Sequence, residues 1–187
     1  MHDKEAVRIL GTWIGNGAKD TTPWEPIVDT IKTKLEQWRR AHPTLYGKRL
    51  IIQTIVGGHT QFLAKAQGMP TSIEDALIKV INKFIWGQES STRIAQHTLQ
   101  RPINKGSLNI LDFKARNDAI ELMWLKEYLN FMPSHQQWAA ITDHVVLATA
   151  PSHLVELMND NPFLQAWNVP LKGKRAEKLN DDIKRMF

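Results

Sequence analysis

Residues 72–87 read Ser-Ile-Glu-Asp-Ala-Leu-Ile-Lys-Val-Ile-Asn-Lys-Phe-Ile-Trp-Gly, the clearest helical pattern in the chain. Its apolar residues recur every three or four positions, at Ile73, Leu77, Val80, Ile81, Phe84 and Ile85. That spacing places them on one face of an α-helix, and so wide an apolar face has to pack against other elements. Gly87 follows as a C-cap. The stretch therefore predicts a long helix within a helical bundle.

The preceding residues continue the helical pattern. Thr22-Pro23-Trp24-Glu25 is typical of a helix start, with Thr22 as the cap and Pro23 in the first turn. A proline at position 43 ends this helix, and Thr44 caps the next one. Gly57-Gly58 indicates a break or a close crossing. The apolar positions of the two helices are Ile27, Ile31, Leu35 and Trp38, then Leu45, Leu50, Ile51 and Ile55.

The flanking regions complete a mainly α fold. Residues 6–15 alternate apolar and other residues and predict a strand or a tight hairpin. Asp112 caps a long predicted helix that runs to about residue 129, and another helix is predicted over 133–148. A short helix follows from residue 151, and residues 172–187 predict a frayed terminal helix. The inward side chains of the long helix are expected to be Ala115, Ala119, Leu122, Leu125 and Leu129.

We predict four segments along the chain. Residues 1–20 form a short strand or hairpin, and residues 21–88 form a helical bundle. Residues 89–130 contain a connector loop and the long helix, and residues 131–187 form a helical C-terminal segment with a frayed last part. At 187 residues the chain is long enough to bury a substantial core, as one domain or as two small ones.

Composition narrows the class of protein. The chain has no cysteine, which excludes disulfides, thiolate metal sites and a cysteine nucleophile. It has neither a signal-peptide pattern nor an apolar run of the roughly 20 residues that cross a bilayer. We therefore expect an intracellular protein of the nucleus or cytoplasm, neither secreted nor bound to a membrane.

The positive charge is regional. The net charge is +5, yet residues 1–106 hold 15 basic and 9 acidic residues while residues 107–187 hold 9 and 10. Between Ile31 and Ile73 the only acid is Glu36, and the seven basic residues are Lys32, Lys34, Arg39, Arg40, Lys48, Arg49 and Lys65. An ordinary solvated helix face is one interpretation of this segment. Binding of a phosphate backbone is the other. Composition alone favours the solvated face, but the near absence of acids brings the two interpretations level, because ordinary surfaces intersperse both signs of charge.

No catalytic constellation emerges from the sequence. The adjacent aspartates Asp181 and Asp182 lie in a charged terminal segment, which is typical of a solvated helix and not of a metal site. The seven histidines lack metal-ligand spacing, and no phosphate-binding loop or nucleophile elbow is present. We predict no catalytic residue, no metal and no cofactor.

The seven tryptophans allow two interpretations, core packing and base stacking. Trp38, Trp86 and Trp124 fall in register with the apolar stripes, so we expect them in the core. Trp24 stands at a helix start, and for this residue both interpretations stay open.

Five blocks, in this order, resemble LINE-type (non-LTR) retrotransposon reverse transcriptases, over about residues 6–130. The blocks are Ile9-Leu10-Gly11-Thr12-Trp13-Ile14-Gly15, Leu35-Glu36-Gln37-Trp38, Leu45-Tyr46-Gly47-Lys48-Arg49-Leu50-Ile51-Ile52, Lys83-Phe84-Ile85-Trp86 and Pro102-Ile103-Asn104-Lys105-Gly106-Ser107-Leu108-Asn109-Ile110-Leu111-Asp112-Phe113. The chain departs from the family pattern at Ser107, where a second glycine is usual.

The resemblance implies the end of the palm, the thumb and the connector that follows it. A thumb is a helical bundle that holds the template–primer duplex, RNA–DNA or DNA, by its backbone without reading sequence. The catalytic aspartates of the parent RNA-directed DNA polymerase would precede residue 1, so the chain is expected to be a non-catalytic fragment. The residues expected to contact phosphates are Lys32, Arg39, Arg40, Lys48, Arg49 and Lys65.

Two other functions remain open. In the first, the chain is a helical protein-interaction module, and a protein partner docks on its C-terminal helices. The apolar residues expected to serve that role are Trp138, Ile141, Val145, Leu154, Leu157 and Phe163. In the second, the chain is a non-functional remnant of a decayed element.

Overall fold

The chain is mainly helical in the residues that the structure describes, which confirms the predicted fold class. The structure is a computed structural model, and it describes residues 7–9, 12–14, 21–87, 94–130, 136–150, 172–174, 176–179 and 183–184. The chain divides into two compact units, Met1–Asn117 and Asp118–Phe187. The division into four segments remains a prediction.

The elements follow one another in a simple order. The strands are β1 (Val7–Ile9) and β2 (Thr12–Ile14). The helices are α1 (Glu25–Arg39), α2 (Leu45–Ile51), α3 (Gly58–Gln67), α4 (Thr71–Trp86), α5 (Gln96–Gln100), α6 (Phe113–Tyr128) and α7 (Gln137–Leu147). β1 and β2 pair antiparallel with Arg8 opposite Trp13, so residues 6–15 contain the predicted hairpin. Within the described residues this sheet has two strands, and β2 contacts α3.

Most helix ends lie at the capping residues that the sequence predicts. The Thr44 hydroxyl accepts a hydrogen bond of 3.2 Å from the Gly47 amide and caps α2. Asp112 caps α6 in the same way through the Ala115 amide, at 3.0 Å. Gly87 ends α4 with a φ of 84°, a conformation that favours glycine. The predicted Thr22 cap is wrong, because Thr22–Trp24 forms a 3₁₀ turn and α1 begins after it without a side-chain cap.

The prediction at Gly57-Gly58 is also wrong. Residues Ile52–Gly57 form a π-helical segment that joins α2 to α3, and both glycines have helical φ angles of −58° and −62°. A Cβ atom built on Gly57 would lie 3.9 Å from Leu111, an ordinary contact. The chain therefore neither breaks nor makes an unusually close crossing here, since the wider π turn continues the helix.

The core of the first unit is built around α4. α1 packs against α4, against α3 and against the π-helical segment, while α2 packs against α4. The predicted stripe of α4 is confirmed, with only Val80 among its six residues partly exposed. The buried apolar residues of this unit are Trp24, Val28, Ile31, Leu35, Ile52, Ile55, Val56, Leu63, Ala64, Ile73, Leu77, Ile81, Phe84, Ile85, Leu99, Ile110 and Phe113.

Several predicted core positions lie on the surface. Trp38 is 49% exposed although it continues the α1 stripe, whereas Trp24, for which core packing and base stacking were both open, is fully buried. The 3₁₀ turn before α1 carries Trp24 into the core, and the α1 stripe ends at Leu35. Leu45 and Leu50 are exposed as well, and none of the seven residues of α2 is fully buried. Trp86 is half-buried.

A buried polar contact ties α6 to α3. Arg116 donates a hydrogen bond of 2.8 Å to the Thr60 hydroxyl, which itself donates to the Val56 carbonyl at 2.7 Å. Thr60 is fully buried, and burial lowers the pKa of the Arg116 guanidinium. The hydroxyl thus serves as both donor and acceptor between two elements of the first unit.

The second unit has a small aromatic core. Tyr128 and Ala139 are fully buried, and Leu125, Leu129 and Trp138 pack against them. The Tyr128 hydroxyl donates a hydrogen bond of 2.6 Å to a carboxylate oxygen of Asp143. Half-buried Trp124 meets Trp138 edge to face, with ring centroids 5.4 Å apart. This packing fixes α6 against α7.

Some expectations for the later helices are wrong or untested. Leu122 is 65% exposed, and Ala115 and Ala119 are exposed too, so of the five predicted inward residues of this helix Leu125 and Leu129 are the two that pack against the core. The predicted helix after residue 151 lies outside the described residues. In the terminal segment the structure describes a 3₁₀ turn at Ala176–Lys178.

Candidate nucleic-acid interface

Two predicted phosphate-binding residues lie on α1, and a third, Arg40, follows its last residue. Lys32 pairs with Asp29 at 3.0 Å, and Arg39 donates two hydrogen bonds to Glu36, at 2.9 and 2.6 Å. Arg40 is exposed and has no ion-pair partner in the described part of the chain. Exposed ion pairs contribute only about 0–1 kcal/mol, so phosphates can compete for Lys32 and Arg39.

Glu36 lies among cations from two helices. Its carboxylate has a pKa below the ordinary value, first because Arg39 donates hydrogen bonds to it and further because the charges of Arg40 and Lys83 favour ionisation. Lys83 belongs to α4 and was not among the predicted site residues. The surroundings of Glu36 therefore remain net positive after the carboxylate is counted.

Lys34 is held by a neighbouring helix. Its ammonium lies 2.9 Å from Nε2 of His59 on α3, while Nδ1 of that ring lies 2.8 Å from the Ile55 carbonyl oxygen. Both contacts are satisfied when Nδ1 carries the proton and Nε2 accepts from the ammonium. His59 is thus a structural histidine here, positioned by two partners.

Lys48 is engaged inside the protein. Its ammonium donates a hydrogen bond of 2.6 Å to the Ile85 carbonyl oxygen and lies 5.9 Å from the centre of the Phe84 ring. Burial lowers the pKa of the Lys48 amino group. This predicted phosphate ligand therefore joins α2 to the end of α4.

Arg49 stacks on an exposed aromatic ring. Its guanidinium carbon lies 5.5 Å from the centre of the Tyr46 ring, one helical turn earlier on α2. The Nε atom of Arg49 is buried and has no hydrogen-bond partner. Tyr46 is 59% exposed, so a cation and an open ring lie side by side.

The structure groups the predicted residues only in part. Arg39 and Arg40 lie around Glu36, Lys32 lies earlier on α1, and Lys48 and Arg49 lie on α2. Lys65 is exposed in the last turn of α3. Lys83 joins this group without having been predicted, although its position on the polar side of the α4 stripe can be read from the sequence.

The described residues contain neither a metal-binding cluster nor a helix that could span a membrane. In the described ranges, no cluster of three histidine, aspartate or glutamate side chains has the geometry of a metal site. Asp181 and Asp182 lie outside those ranges. No described helix has both the length and the apolar character needed to cross a bilayer.

Comparisons with known proteins supply no relative. No protein-family model matches the chain. No curated protein and no solved structure matches it either. The described residues thus define a class by their fold and surface alone: a mainly helical protein with a basic, aromatic-bearing surface on its first unit.

Proposed function

We propose that this chain is a non-catalytic, thumb-like module of a LINE-type reverse transcriptase that binds the backbone of a template–primer duplex. The observation that carries the proposal is the seven-to-one excess of cations between Ile31 and Ile73, on helices that share one packed core. The five ordered sequence blocks support the family assignment. Exposed cations on fixed helices contact phosphates without reading base sequence.

The cations differ in how far they are free to contact phosphates, and this supports a surface of modest affinity. Arg40 and Lys65 are exposed, and Lys32 and Arg39 are held only by exposed carboxylates. Lys48 contributes through the position of α2 and not through a free ammonium. Roughly four phosphate contacts are expected, and their affinity depends steeply on salt.

A paired substitution tests the proposal. Lys32→Gln with Arg40→Gln removes two exposed charges from the basic surface, while Lys105→Gln with Lys126→Gln removes two exposed charges elsewhere. Affinity for a labelled RNA–DNA duplex is measured by fluorescence anisotropy as salt is varied. The first pair is expected to reduce the slope of log affinity against log salt by about two, and the control pair to leave it unchanged. Equal slopes for both pairs would contradict the proposal that the basic surface binds the duplex.

A second candidate function rests on the C-terminal helices. Ile141 is 65% exposed on α7, where a shallow apolar depression is lined by Ala140, Ile141, His144, Val145 and Ala148. We propose protein binding at this surface as the alternative, since exposed apolar patches mark such contacts. A protein complex formed at this apolar surface is expected to survive salt near 1 M and to be lost in the Ile141→Asp variant. Phosphate contacts, in contrast, are screened at that salt.

A further inference from the structure

Two aromatic rings are exposed where α1 passes into α2. Trp38 lies in the last turns of α1 and is 49% exposed, and Tyr46 lies in the first turn of α2 and is 59% exposed. We call residues 38–50 the α1–α2 corner. Single exposed apolar residues are ordinary, but Leu45 and Leu50 are exposed in the same short segment. The corner thus offers an unusual amount of aromatic and apolar surface to a ligand.

The charge of the corner selects an anionic ligand. Residues 38–50 contain Arg39, Arg40, Lys48 and Arg49 and no acidic residue. Arg39 is balanced by Glu36 and Lys48 is bonded to Ile85, whereas Arg40 and Arg49 have no carboxylate partner among the described residues. Two guanidinium groups without a carboxylate partner therefore lie in the same segment as the exposed rings, and that of Arg49 is stacked on Tyr46.

The Tyr46–Arg49 pair is assembled before any ligand arrives. The guanidinium lies 5.5 Å from the ring centre, yet more than half of the tyrosine remains exposed. An aromatic ring held in this way offers its open surface to another flat group at little cost in side-chain entropy. Arginine beside an aromatic platform is the combination that binds single-stranded nucleic acids.

We infer that the α1–α2 corner binds an unpaired nucleic-acid strand beside the duplex, with bases stacked on Trp38 and Tyr46 and phosphates held by Arg40 and Arg49. Backbone contacts to a duplex need no exposed ring, because paired bases hide their faces in the stack. Unpaired bases have open faces that can stack on these two side chains, whereas the interior pairs of a duplex do not. The inference rests on the proposed function and adds the single strand as the second ligand of the same surface.

The test compares four labelled probes by fluorescence anisotropy on the full chain. They are a blunt RNA–DNA duplex, the same duplex with an overhang of about six nucleotides, the same overhang without its bases, and the free single strand. The overhang is expected to raise affinity at least about tenfold, and the abasic overhang much less, because stacking needs the bases. Trp38→Ala and Tyr46→Ala are expected to lose this gain and to keep the affinity for the blunt duplex.

Phe62→Ala is the matched control, since Phe62 is 58% exposed on α3, outside the corner. This variant is expected to keep the gain from the overhang. The inference is overturned if the overhang gives no gain in affinity, if the gain survives both corner variants, or if it persists without bases. None of these results would contradict duplex binding. If the blunt duplex fails to bind and the single strand binds through Trp38 and Tyr46, the proposed function fails and the inference stands. If no probe binds, both fail.

Discussion

The ammonium group of Lys48 on α2 donates a hydrogen bond of 2.6 Å to the carbonyl oxygen of Ile85, 37 residues later in the last turn of α4. The final carbonyls of a helix lack intrahelical partners, and a cation is favoured near that end by the helix dipole. Lys48 donates a hydrogen bond to one of these final carbonyls and also places a positive charge at this end of α4. A residue predicted to hold phosphate therefore holds two helices together.

Replacing Lys48 tests this structural role. Lys48→Met keeps the length of the side chain but leaves the Ile85 carbonyl without this donor. We expect the free energy of unfolding to fall by about 1–2 kcal/mol, measured by urea denaturation. Lys79→Met, at an exposed position of α4, is the control and should change stability by less than about 0.5 kcal/mol. Equal stability of the two variants would show that the Lys48 contact is not stabilising.

The same residue predicts a pH dependence. Burial lowers the pKa of the Lys48 amino group below its ordinary value of 10.5. The unfolded chain therefore binds more protons in the range between the lowered pKa and 10.5, and stability rises with pH through that range. Urea denaturation at about pH 8 and about pH 10 should show the wild type gaining stability relative to Lys48→Met. A constant difference would contradict the burial of the charge.

Removing Glu36 should strengthen nucleic-acid binding. Its carboxylate occupies Arg39 and is the only acid between Ile31 and Ile73. We expect Glu36→Gln to raise affinity for an RNA–DNA duplex by roughly 2- to 10-fold, measured by anisotropy at low salt. Glu25→Gln removes an exposed acid from the start of α1 and should have a smaller effect. If both variants gain equally, net charge alone determines affinity.

Glu36 also predicts a response to acid. Its pKa is lowered mainly by the hydrogen bonds from Arg39, so the pair stabilises the fold above 4.5 and this contribution is lost as pH falls through the lowered pKa. The Glu36→Gln variant should lack this loss in acid-range thermal unfolding. A wild type and variant with parallel stability profiles below 4.5 would contradict the pairing.

The Thr60 hydroxyl is expected to be important for the first unit. Thr60→Val removes the fully buried hydroxyl that accepts a hydrogen bond from Nη1 of Arg116 and donates one to the Val56 carbonyl. The expected loss is about 1–3 kcal/mol in urea denaturation. Thr54→Val, at an exposed position of the π-helical segment, should be nearly neutral. Comparable losses in the two variants would point to the π-helical backbone and not to the buried contact.

Local signals in the sequence predicted the helices well. The α4 stripe, the Gly87 end and the Thr44 and Asp112 caps depend on residues close in sequence, and the structure confirms them. Burial of Trp24 and exposure of Trp38 could not be predicted in this way. Helical periodicity defines the face of a helix but not where the covering partner stops.

The candidate site shows the same limit. Charge spacing located the basic segment, but it could not show that Lys48 reaches a carbonyl 37 residues away. Nor could it show that Lys83 approaches Glu36 from another helix. Those relations depend on how α1, α2 and α4 pack, which no short stretch of sequence encodes.

The sharpest test of a phosphate-binding surface is the salt dependence of duplex binding. The affinity of the wild-type chain for an RNA–DNA duplex is measured by anisotropy at salt from about 50 to about 200 mM. About four phosphate contacts predict a slope of log affinity against log salt of roughly −3 to −4, and a loss of about 100-fold across this range. Binding that does not change with salt, or no binding at the lowest salt, would contradict a backbone-binding surface between Ile31 and Ile73.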